Sequence, residues 1–70
     1  MNLDKMIRIK LIELSSKYDI SLIEIQKPKD GHISRTINVY YRPIGAPKED
    51  NDCETFHNKR DLVSWLVWLM

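Results

Sequence analysis

The sequence predicts a small α+β domain: an N-terminal helix, an antiparallel β-hairpin with room for a third strand, and a C-terminal helix packed on the sheet. Three observations carry this. The closing segment, Asn58 to Met70, reads NKRDLVSWLVWLM. On a helical wheel its apolar side chains Leu62, Val63, Trp65, Leu66, Val67, Leu69 and Met70 fill a sector of roughly 200°, about twice what a surface helix needs. Between Ile20 and Arg42 lie two runs rich in β-branched and aromatic residues, separated by Lys29-Asp30-Gly31, and Asp-Gly is a strong hairpin turn because both positions tolerate positive φ. The opening segment places Leu3, Ile7, Leu11, Leu14 and Tyr18 on one stripe, the helical repeat of apolar positions.

Taken in order, Asp4 or Asn2 caps a helix expected over 3–18. A strand reading of Ile7, Ile9 and Leu11 against Arg8 and Lys10 competes, but the alternation fails at Ile12, so helix is preferred. Ile9 and Ile12 fall opposite the stripe, which allows this helix a second covered side. The hairpin is expected over 20–42, with strands Ser21–Lys27 and His32–Arg42. Alternation puts Ile23 and Ile25 on the apolar face of the first strand. It puts Ile33, Ile37, Val39 and Tyr41 on that of the second, with Arg35 as the exception. Glu24, Gln26, Ser34, Thr36 and Asn38 are expected to point outward. A two-stranded ribbon is marginal alone, so its apolar face needs a cover, and the C-terminal helix supplies it. Pro43 ends the second strand. Residues 43–53 form a polar loop, Glu54–His57 can add a short third strand, and Asn58 caps the helix over 58–70.

Length and composition bound the function. Seventy residues make one domain near the lower size limit for a core without staples. An apolar fraction of 43% and a charged fraction of 30% are those of a globular chain. No apolar run approaches the ~20 residues that span a bilayer, and the charged start does not read as a signal peptide. A lone cysteine makes cytoplasmic residence the default. The net charge of +1 is unevenly distributed: residues 1–42 are mildly basic, and Lys48 faces Glu49, Asp50, Asp52 and Glu54 in the loop. Such a balance permits nucleic-acid binding without arguing for it.

Chemistry-bearing residues are sparse. Cys53 and His57 are spaced C-x3-H and His32 lies in the hairpin, but structural zinc needs four ligands. A Cys53–His57 nucleophile pair lacks an orienting carboxylate at a recognisable spacing, and two separated glycines make no phosphate loop. The expectation is a protein that is no enzyme and uses no metal or cofactor. Two binding surfaces remain. Trp65, Trp68, Leu69 and Met70 form a candidate partner interface, because a helix apolar on so wide a sector needs more than one cover; a homodimer or another protein partner is expected there. Lys27, Lys29, Arg35, Tyr40 and Arg42 on the hairpin, with Lys59, form a candidate surface for duplex DNA, whose major groove admits a two-stranded ribbon.

The pattern Val39-Tyr40-Tyr41-x-Pro43-x-Gly45, then Phe56-x-x-Lys59-x-x-Leu62-x-x-Trp65-Leu66, resembles the strand–loop–helix core of methyl-CpG-binding domains. More loosely it is similar to the three-strand-plus-helix arm-binding domains of tyrosine recombinases. The resemblance implies a sheet that reads the DNA major groove. His57 stands where the methyl-CpG family has a base-reading arginine, and Asn38 where it has an aspartate. What the likeness implies is therefore the architecture rather than methylcytosine readout. The first expectation is a small protein-binding module or regulator acting through the C-terminal helix; the alternative is a sheet-reading DNA-binding domain using the hairpin over 27–42.

Overall fold

The computed structural model describes residues 2–70: α1 (Leu3–Leu14), β1 (Tyr18–Lys29), β2 (His32–Pro43), a 3-10 turn (Lys48–Asp50), β3 (Asp52–Phe56) and α2 (Lys59–Leu69). The sheet is antiparallel throughout, in the order β1-β2-β3. Ile7 and Leu14 of α1, Ile37 and Val39 of β2, and Leu62, Val63 and Leu66 of α2 form one buried cluster. Both helices therefore lie side by side on one face of the sheet, a two-layer form of the α+β class the sequence predicts. An ion pair between Lys59 Nζ and Asp4 Oδ1, 2.6 Å long, ties together the N-terminal ends of the two helices.

Each helix starts on an asparagine. Asn2 Oδ1 accepts the Asp4 amide at 2.8 Å. Asn58 Oδ1 accepts the Asp61 amide at 2.8 Å while Asn58 Nδ2 donates to Asp61 Oδ2 at 3.0 Å, a reciprocal cap that satisfies an otherwise orphaned donor. α1 stops at Leu14, a turn earlier than expected. Ser15 Oγ donates to the Ile12 carbonyl at 2.6 Å, and a serine that competes for a helix carbonyl favours ending the helix. Tyr18 belongs instead to β1, paired with Pro43 and edge-on to Tyr41 with ring centroids 6.4 Å apart.

The hairpin turn is as the Asp-Gly pair predicts, with φ of 49° at Asp30 and 81° at Gly31, the left-handed signs of a type I′ turn. That turn makes Lys29 and His32 the closing pair and so sets the register of the ribbon. Counting back from it, Leu22 faces Val39 and Ile20 faces Tyr41. The helix-side residues of β1 are thus Tyr18, Ile20 and Leu22, followed by Glu24 and Gln26. This corrects the expected faces: Ile23 and Ile25 lie on the open side of the sheet, 50% and 38% exposed, because a shift of one residue turns a whole strand over. Ser34, Thr36 and Asn38 do lie on the open side, opposite to Ile37 and Val39.

β3 pairs only with residues 37–41 of β2. Past that point β1 and β2 continue as a bare two-stranded arm, which is why Ile33 is 66% exposed although it shares a face with Val39. The arm stretches the molecule to 44 × 32 × 15 Å with a radius of gyration of 13.2 Å, against about 11 Å for a compact chain of this length. The loop before β3 is anchored at its start, where the Ile44 amide donates to the Lys17 carbonyl at 3.0 Å, and Gly45 takes a φ of 88° in the turn.

Leu66 is fully buried and Val67, the next residue, is 53% exposed. Leu66→Ala is expected to destabilise the domain by about 2–5 kcal/mol, through lost burial and the cavity left behind. Val67→Ala should change stability by less than ~0.5 kcal/mol. Urea denaturation followed by far-UV circular dichroism measures both.

Candidate functional site

Three surfaces hold the residues with chemical or docking potential: the outer face of α2, the open face of the sheet, and the cleft between the arm and the start of α2.

On α2, the residues expected to meet a partner divide. Trp65 turns toward the sheet, 4.9 Å from the Tyr41 ring and 5.6 Å from Phe56, centroid to centroid. Its indole thus belongs to an aromatic cluster inside the domain. Leu69 is half-buried against the same core. Trp68 is 75% exposed and Met70 47%. Val67, which the sequence reading did not single out, joins them. Its signal was present: it lies off the line of Leu62 and Leu66 that faces the sheet. Ser64 and Arg60 are exposed on this same outward side, and Arg60 has no ion-pair partner among the described residues.

The basic residues of the hairpin also divide. Lys27, Lys29, Tyr40 and Arg42 lie on the open face of the sheet. Tyr40 sits between Ser21 and Cys53 in the register, and the Arg42 guanidinium is 3.2 Å from Asp19 Oδ2. Arg35 lies on the helix side, 2.7 Å from Glu24, and Lys59 on α2 holds Asp4. These last two line an open cleft of about 740 Å³ together with His57, Arg60, Leu3 and Ile33. Sequence reasoning missed His57 and Arg60 as members of this group. They flank the Asn58 cap, so only the packing of α2 beside the arm brings them to Arg35.

Charge is polarised along the long axis. The end with the arm and the helix N-termini holds Lys5, Arg8, Lys27, Lys29, Arg35, Lys59 and Arg60 against Asp4, Glu24, Asp30 and Asp61. The opposite end, around the loop into β3, holds Asp19, Glu49, Asp50, Asp52 and Glu54 against Lys17, Arg42 and Lys48. Cys53 lies on the open face of β3, His57 in the cleft and His32 at the tip of the arm. Among the described residues no group of three or more His, Cys, Asp or Glu side chains converges as metal ligands. No helix among them is long and apolar enough to cross a membrane.

Two titrations are displaced. The hydrogen bond and charge of Lys59 hold the Asp4 carboxyl below its ordinary range. Burial, with Asp52 and Glu54 nearby, pushes the Tyr41 phenol above its own. Compared with models of protein families, with characterised proteins and with solved structures, the chain matches none.

The signs of these shifts predict the pH dependence of stability. Asp4, lowered in the fold, adds stability above the unfolded value of about 3.9, and that part is lost as the pH falls through its folded value. Tyr41, raised in the fold, adds stability that is complete below about pH 10 and lost as the pH rises beyond it. Asp4→Asn should flatten the acid limb of a urea-midpoint profile, and Tyr41→Phe should flatten the alkaline limb.

Proposed function

We propose that this chain is a protein-binding module that acts by occupying its partner through the outer face of α2, without chemical transformation. The observation that carries this is Trp68, 75% exposed on a regular helix whose preceding residue, Val67, is 53% exposed. A tryptophan so placed leaves a large apolar surface in water, and contiguous exposed apolar surface marks association sites. Trp is also among the residues that dominate binding energy when a partner covers them.

A photoreactive residue tests the reading. Val67→p-benzoylphenylalanine should yield protein adducts in the cell that makes the chain, identified by mass spectrometry. Adding Trp68→Glu should abolish them. Adducts no more abundant than those from Ser16→p-benzoylphenylalanine, an exposed position after α1, would sink it.

A second reading, a nucleic-acid-binding arm, is favoured by the polarised charge and the uncovered ribbon with Lys27 and Lys29 near its tip. A two-stranded ribbon is of a size to enter the major groove. Titration of a short duplex at 50 mM and 200 mM salt decides it. Steep weakening with salt, and a shallower slope in Lys27→Ala/Lys29→Ala, is the expected result; no binding at 50 mM salt removes this reading.

A further inference from the structure

Resting on the reading of α2 as a docking face, we propose that its occupant is a second copy of this chain. The two α2 helices would pack antiparallel about a two-fold axis at Ser64.

The outer face of α2 is unlike at its two ends. Arg60 lies in the first turn, exposed and without an ion-pair partner among the described residues. Val67 and Trp68 lie in the last turn, and the short Ser64 sits between, also exposed. Positions 60 and 68 are equidistant from 64 along the helix. An antiparallel copy centred on Ser64 therefore sets each Arg60 across from the other copy's Trp68. A parallel copy sets like against like, Arg60 on Arg60, and is disfavoured by repulsion. The antiparallel pair places a guanidinium within reach of an indole face twice, the geometry of a cation–π contact.

Ser64 at the centre has no bulk to hold the helices apart, which suits the 8–10 Å separation of packed helices. An isologous contact of this kind closes on itself and ends at the dimer. A single helix pair is smaller than a standard interface, so the expected dissociation constant is on the order of 10 µM or weaker.

Sedimentation velocity from 5 to 500 µM, and cross-linking by a short bis-maleimide in a Cys53→Ser background, test this together. Dimer is expected at the upper concentrations. Arg60→Glu should weaken it at least tenfold and Arg60→Lys by much less. Ser64→Cys should cross-link at least tenfold faster than Val67→Cys, whose two copies lie apart in an antiparallel pair and together in a parallel one. Cross-linking of Val67→Cys as fast as that of Ser64→Cys, or a dimer indifferent to Arg60→Glu, overturns the arrangement and leaves α2 as the docking face. A chain monomeric at 500 µM overturns self-association, while adducts of another protein from position 67 would keep the docking face. A dimer undisturbed by Trp68→Glu overturns the inference and counts against α2 as the docking face.

Discussion

The packing of α2 across β2 is the constraint on which the rest of the molecule depends. Leu62 and Leu66 of the helix and Ile37 and Val39 of the strand are the centre of the only buried cluster among the described residues. β2 is the middle strand, paired on both sides, so the helix that covers it holds the sheet together. β1 and β3 gain their support through β2. α1 completes the layer from the side, contributing Leu14 and Ile7.

A core this small covers a limited area, and the surfaces it leaves open follow directly. The helices reach over the part of the ribbon that β3 also braces, and the ribbon beyond has neither cover nor third strand. Its side chains carry charge or stand singly in water, which keeps bare strands from pairing with other chains. On α2 the sheet and α1 take Leu62, Val63 and Leu66, and the aromatic cluster takes Trp65. Trp68 is left because it lies on the remaining side. The same geometry that makes the core possible thus leaves the outer side of α2 uncovered. The charge division has a similar origin: the parallel course of the two helices and the outward swing of the arm gather cations at one end, and the acidic loop falls at the other.

Much of this was legible in the residues. Asn2 and Asn58 before apolar helical repeats, Asp30-Gly31 between two β-rich runs, and Pro43 after the second run mark the element ends, because caps and tight turns are local chemistry. The wide apolar sector of α2 announced more than one cover. The face of β1 could also have been read, since a two-residue turn closed by Lys29 and His32 obliges Leu22 to face Val39. Bulk was the misleading signal there: Ile23 and Ile25 are as apolar as Ile20 and Leu22.

What the sequence by itself determined is the set of elements, their order and the register of the hairpin, all of them consequences of contacts between residues near in the chain. Only the tertiary structure decided which indole is covered, where the ribbon runs out of support, and that Arg35, His57, Lys59 and Arg60 share a cleft. Those outcomes depend on where α1 and α2 come to lie on the sheet. That placement is set by the joint filling of one small apolar core, a property of residues far apart in the chain that no local pattern records.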